Sequence, residues 1–188
     1  AAARVALFGA RDVWFVVAVP VFLYASGWNF TMVGGFLALW TIGYGAVQAW
    51  NEQAPTLFVV AGAAHGTFEE VAREFASIGV EVGVLHPNLL RPFPKAEWAK
   101  LLAGKHVFVY DRDDPFGAVG GRLYTELAGV QNEYDLAATG TRLYSRIYGL
   151  GGRTPSLALA RDEILKALRE QKGELQLARE KAYVGVNL

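Results

Sequence analysis

Three aspartates within four positions, Asp111, Asp113 and Asp114, form the densest set of hard oxygen ligands in the chain and could offer carboxylates to Mg²⁺. Arg112 stands among them, so an ion-paired loop is the competing reading. Three residues on, Gly117-x-x-Gly120-Gly121 precedes a helical pattern, where backbone N–H groups could meet an anion. The spacing is not the dinucleotide fingerprint GxGxxG. Two other loops carry unusual residues. His86–Pro94 holds three prolines in nine positions, and Gly149–Arg153 is rich in glycine. His65, His86 and His106 share no ligand spacing, and Ser26, Ser77, Ser145 and Ser156 sit in no nucleophile elbow. With no cysteine, the chain supplies no disulfide, thiolate metal site, cysteine nucleophile or iron–sulfur ligand.

These loops are placed by short alternating elements. Thr56–Ala61 is a β-branched apolar run, the mark of a strand covered on both faces. Thr67 with Glu70 reads as a capping box for a helix to about Ile78, which Gly79 stops. Val80–Leu85 reads as a strand, and Pro94 opens a helix through Leu102. His106–Tyr110 is a third strand and Leu123–Val130 a third helix. Arg142–Tyr148 is a fourth strand, and Leu157–Gln171 an amphipathic helix. Strands separated by helices imply parallel pairing, so residues 54–171 read as a three-layer α/β domain with a mostly parallel sheet. Its three unusual loops all follow strand carboxyl ends, where open α/β sheets place their sites. The tail, residues 172–188, is polar and then apolar (AYVGVNL), and its end is expected to dock.

Residues 1–53 are different. Val13–Asn51 is 39 residues without a charge, and residues 1–51 carry only Arg4, Arg11 and Asp12. The remainder holds 16 basic and 17 acidic side chains. Neither part has the excess of Lys and Arg that attracts nucleic acid. Small and polar residues break the run at Ser26–Asn29, dividing it into Val13–Ala25 and Met32–Trp50. The second piece is long enough to cross a bilayer, Trp28 and Trp50 fall where interfacial anchors belong, and Gly34, Gly35, Gly43 and Gly45 allow close helix approach. The segment reads as an apolar helical hairpin in a membrane. The alternative is an apolar element wrapped by its own fold or by a partner. The run is too long for a signal peptide and lacks a convincing cleavage site.

Two resemblances add to this. FGARDVWFVVAVPVFLYASGWNFTMVGGFLALWTIGYGAVQA resembles a segment of major facilitator superfamily transporters, in particular organoarsenical efflux permeases, over about residues 4–50. That resemblance would make Arg11-Asp12 an interfacial pair, although two helices cannot rock around a central site. The ordered motifs LLRPFP, DRDDPFGAVGGRLYTEL and YGLGGR resemble the C-terminal part of the alpha subunit of 2-oxoacid:ferredoxin oxidoreductases, the pyruvate:ferredoxin type, over about residues 54–188. The matching positions are Arg91–Pro94, Asp111-Arg112, Phe116-Gly117, Gly120-Gly121, Leu123–Glu126 and Gly149–Arg153. Pro115 stands where that family commonly has serine, and Arg122 where it has proline.

The second resemblance implies a transketolase-C-terminal-like domain that is not catalytic alone. Thiamine diphosphate, Mg²⁺ and iron–sulfur clusters would be held by partner domains or subunits, and ferredoxin would be reached only indirectly. The pyrimidine-binding domain that normally precedes this one is replaced by the apolar segment. Arg91, Asp111, Arg112, Gly117, Gly120, Gly121, Tyr124, Gly151, Gly152 and Arg153 are then the expected ligand- or subunit-docking residues, with no catalytic and no metal residue among them. The setting would be cytoplasmic, with membrane association through residues 13–50 left open and no nucleic-acid partner. Two other functions stand beside this one: a fragment or appendage of an efflux transporter, and a stand-alone α/β enzyme whose glycine loops bind a phosphorylated ligand.

Overall fold

Apolar runs of β-branched and aromatic residues make the central strands. In the computed structural model, which describes residues 17–43 and 47–185, β2 (Thr56–Val60) is buried along its whole length and β4 (His106–Asp111) beyond its first residue. They pair in parallel, from Thr56 opposite His106 to Val60 opposite Tyr110. The full sheet has the order β1-β3-β2-β4-β5-β6. It adds β1 (Val47–Trp50), β3 (Gly83–Pro87), β5 (Arg142–Tyr148) and β6 (Ala182–Val184). Only the β1–β3 pair is antiparallel.

Because side chains alternate along a strand, each face of the sheet has its own core. Phe58, Val60, Phe108, Tyr110 and Tyr144 face α3 (Ala64–Ser77) and α6 (Leu157–Gln171). Leu57, Val59, Val107 and Val109 face α4 (Lys95–Leu102) and α5 (Arg122–Glu133). The expected three-layer α/β domain with a mostly parallel sheet is the observed one.

Local starts and stops show what the pattern missed. Helix α3 begins at Ala64, its cap Ala63 makes no side-chain cap bond, and Thr67 lies inside it, so the expected capping box does not form. Gly62 turns the chain early with φ +76°, and its N–H is taken by His86 rather than by a hydroxyl. At the other end Gly79 (φ +78°) does stop the helix. Strand β3 starts at Gly83, not Val80. At Gly83 a Cβ would overlap the Asn51 carbonyl and the Leu57 side chain, so only glycine lets the strand enter there. By contrast, Ser156 does cap α6, accepting from the Leu159 N–H at 3.2 Å.

Two strands were not foreseen. β1 lies within the stretch expected to be a second membrane span, because Trp50 packs on the α3 side of the core with the Arg73 guanidinium 5.2 Å above its ring. Asn51 (φ +50°) turns the chain into β2 and donates its side-chain amide to the Val82 carbonyl. β6 comes from the tail, paired in parallel with β5.

The chain divides into two units, Ala1–Gly45 and Ala46–Leu188. In the first, α1 (Val19–Ala25) and α2 (Phe30–Gly43) are joined by a turn at Ser26–Asn29, as expected. Gly27 takes φ +86°, Asn29 accepts from the Met32 N–H at 2.9 Å, and Trp28 meets Phe36 edge-on at 5.9 Å. At 1.5 Å per residue these helices run about 10 and 21 Å, against about 30 Å of bilayer hydrocarbon. Among the described residues no helix is long and apolar enough to cross a membrane. The expected span over Met32–Trp50 is therefore corrected: its helix ends at Gly43 and its last four residues are a sheet strand. Arg11-Asp12 lies outside the described residues.

Candidate functional site

β2 connects toward β3, and β4 toward β5, on opposite sides of the sheet order. The carboxyl ends of β2 and β4 therefore flank a switch point, the usual place for a crevice. Here the chain closes that edge on itself. The Gly62 N–H donates to His86 Nε2 at 3.1 Å, which places the His86 proton on Nδ1, facing Asn88 Oδ1 at 3.0 Å. Tyr148 reaches from the end of β5 and donates its hydroxyl to the Ala61 carbonyl at 2.8 Å. His65 packs edge-on against His86 at 5.1 Å between ring centres. Burial and the neighbouring His86 lower its pKa, against an opposing pull from Glu69. Sequence spacing gave no sign of this pair, because His65 lies in the first turn of α3 and His86 near the end of β3.

The loop after β4 decides what the aspartates do. Asp111 is buried and accepts from the Leu123 N–H at 2.9 Å and the Tyr124 N–H at 3.0 Å, so it caps α5 from outside the helix. Burial pushes its pKa up more than the two N–H donors pull it down. Asp113 holds Arg122 at 2.8 Å and takes the Arg122 N–H as well. Asp114 holds Lys181 at 2.7 Å and the Tyr183 hydroxyl at 2.8 Å. Each carboxylate thus has its own partners, and the described residues contain no group of three or more acidic, His or Cys side chains able to hold a metal.

The amides of the first α5 turn are likewise occupied by Asp113, Asp111 and the Gly121 carbonyl, so the expected anion cradle is filled by the chain's own acids. Gly121 and Gly120 serve this packing. A Cβ on Gly121 would overlap the Asp111 carboxyl, and one on Gly120 would overlap the Tyr124 ring. Neither a diphosphate nor its metal fits this loop.

The other expected docking residues lie on the same edge but do not converge on one point. Arg91 pairs with Glu126 of α5 at 2.6 Å and is exposed. Gly117, Gly151 and Gly152 all have positive φ with open space around them. Arg153 donates to the Gly185 carbonyl at 3.1 Å. The Arg112 side chain lies along Gly149, and among the described residues it has no hydrogen-bond or ion-pair partner. In the same loop, Phe116 is fully exposed and Val119 is 72% exposed.

The family model for pyruvate:ferredoxin oxidoreductase core domain II matches residues 54–159, more than half of the chain. The chain belongs to this family. It is 35% identical over 136 residues to pyruvate synthase subunit PorA of Thermotoga maritima, covering 72% of this chain and 33% of that protein. It is 34% identical over 112 residues to PorA of Methanothermobacter thermautotrophicus, covering 58% and 27%. A probable pyruvate-flavodoxin oxidoreductase of Escherichia coli is 38% identical over 79 residues, 41% of this chain and 7% of that protein. The chain spans a third or less of the length of these relatives. The resemblance of residues 4–50 to efflux permeases finds no support in these comparisons, and the core domain II match begins downstream of it.

Just beyond the matched residues, the groups that sequence reasoning overlooked are the acids of α6. Glu163 accepts from the buried Tyr110 hydroxyl and Glu170 from the Tyr144 hydroxyl, each at 2.8 Å. Burial and Glu163 together push the Tyr110 pKa well up. Glu170 also accepts the Leu177 N–H, tying the tail to the helix. Arg146, 4% exposed, lies over the Phe108 and Tyr144 rings and donates to the Ala178 carbonyl at 3.0 Å. A seven-residue interval between Glu163 and Glu170, two helical turns, was the available sequence signal.

Proposed function

We propose that this chain acts as a non-catalytic structural and docking domain of a 2-oxoacid:ferredoxin oxidoreductase alpha subunit. In the assembled enzyme, thiamine diphosphate, Mg²⁺ and iron–sulfur clusters sit in other domains and subunits, and electrons pass from them to ferredoxin. The reading is carried by one observation: the acids and amides that could bind a cofactor are consumed in building the β4–α5 loop, while Arg112, Phe116 and Val119 are left facing outward. An exposed aromatic and an exposed guanidinium on one loop are the composition of an interface anchor. The match to core domain II, and relatives named as pyruvate synthase subunits, support the same assignment.

The test is reconstitution with the remaining parts of a pyruvate synthase, supplied from a relative. Arg112→Ala and Phe116→Ala should each weaken assembly at least tenfold, by the usual cost of losing an interface anchor, while the melting temperature of the chain alone stays within a degree or two. Unchanged assembly with both variants would remove the docking role from this loop. Turnover of a 2-oxoacid by the chain alone would overturn the non-catalytic reading.

A further inference from the structure

The C-terminal segment does more than add a strand. Leu177 is held by Glu170, Ala178 by Arg146, and the Arg179 carbonyl by the Ser145 N–H at 3.0 Å, so the segment is laid along β5 before β6 begins. Lys181 and Tyr183 are two residues apart on an extended chain and therefore point to the same side. Both reach Asp114, one to each carboxylate oxygen, from 67 and 69 residues away. Immediately after β6, the Gly185 carbonyl receives Arg153. One short stretch thus grips the β4–α5 loop at Asp114 and the β5–α6 loop at Arg153. Those loops are also in contact with each other, where the Arg112 side chain passes Gly149.

We propose that residues 177–185 are a clasp that fixes the two glycine-rich loops relative to each other, so that the surface at the strand carboxyl ends is preformed before anything docks on it. Without the clasp both loops have cause to move. Gly117, Gly151 and Gly152 have no neighbour within van der Waals reach of a Cβ, and the loop tips make few contacts of their own. Asp111 and Asp113 tie the β4–α5 loop to the start of α5, whereas Asp114 joins it to the C-terminal segment. The clasp does not depend on which partner docks, so its failure and a failure of the docking role can be told apart.

The test is native-state trypsin digestion of the full chain, with cleavage after Arg112 and Arg153 followed against cleavage after Lys105. In a Lys181→Ala/Tyr183→Phe variant, both loop sites should be cut about fivefold faster, as expected when local opening becomes easier, with Lys105 unaffected. Asp114→Asn preserves the side-chain shape and is the second variant. It should speed hydrogen exchange of the β6 amides as well as cleavage of the β4–α5 loop, because the tie is reciprocal. Unchanged cleavage at both loop sites would overturn the clasp. A rise at Lys105 equal to that in the loops would overturn it too, since the contacts would then serve overall stability.

Discussion

Replacing Asp111 by alanine removes the only acceptor described for the N–H groups of Leu123 and Tyr124. The Leu123 bond is buried, so its donor would lose its partner without gaining water, at about 1–3 kcal/mol. The Tyr124 bond is half-buried and its donor can be rehydrated, which costs less, about 0.5–1 kcal/mol. Relief comes from no longer burying a carboxylate, whose raised pKa shows that its ionised form is penalised. The net loss is then about 1–3 kcal/mol, reaching the upper end for helix caps. For an α/β unit of this size that corresponds to roughly 3–12 °C in melting temperature.

Circular dichroism of the full chain under heat and urea would measure it, and hydrogen exchange would localise it to the first turn of α5. Asp111→Asn keeps one carbonyl acceptor and should fall about midway. A loss below about 0.5 kcal/mol for Asp111→Ala would refute the claim that this carboxylate builds the loop. Loss of protection spread evenly over the sheet would refute the local mechanism.

Gly121→Ala should destabilise nearly as much as Asp111→Ala, about 1–3 kcal/mol, because its Cβ displaces the same carboxyl. Gly117→Ala meets open space and should cost about 1 kcal/mol through its positive φ alone; equal losses in urea unfolding would contradict this difference. The two aspartates should act with opposite signs, on either side of the ordinary carboxylate pKa. The folded pKa of Asp111 is raised, so its ionisation costs stability as pH rises from the ordinary carboxylate pKa to the raised one. The folded pKa of Asp114 is lowered by hydrogen bonds from Lys181 and Tyr183, so its contribution is complete above the ordinary carboxylate pKa and is lost as pH falls through the lowered one. Asp111→Asn should therefore steepen the gain of stability with pH and Asp114→Asn flatten it, and slopes that shift together would be inconsistent with these surroundings. Glu170→Ala strips the acceptor from buried Tyr144 and from Leu177, so a loss of about 2–4 kcal/mol with faster exchange in residues 175–180 is expected, read by hydrogen-exchange mass spectrometry.

Elements whose stability is mostly local were legible. The helix over Leu157–Gln171 carries its apolar stripe and its Ser156 cap in consecutive residues, and Arg142–Tyr148 is a strand by composition alone. Errors fall where a distant residue decides the boundary. The chain turns at Gly62, held by His86, and α3 starts at Ala64 with Thr67 already inside it, while Asn51 with Leu57 crowds Gly83 into being a strand start. β1 and β6, of four and three residues, are too short to signal themselves and exist because β3 and β5 offer free edges. The same limit governs the site. Every expected docking residue except Asp111, the last residue of β4, and Tyr124, on α5, falls in a connection at the predicted edge, but nothing in DRDDPFGAVGG tells which aspartate caps, which pairs and which is clasped.

What the amino-acid order settles by itself is chemistry and class. With no cysteine these residues offer no thiolate ligand, the alternation of strand and helix patterns demands a layered α/β fold, and the ordered proline, aspartate and glycine motifs point to one family. What only the tertiary structure decides is allocation. Lys181 and Tyr183 are remote from Asp114 along the chain, and no local rule assigns them to it over Asp113 or Asp111. Periodicity is written in neighbouring residues, whereas attraction between exposed charges is screened by salt beyond about 10 Å and so acts only after β5 and β6 have brought the tail to the loop.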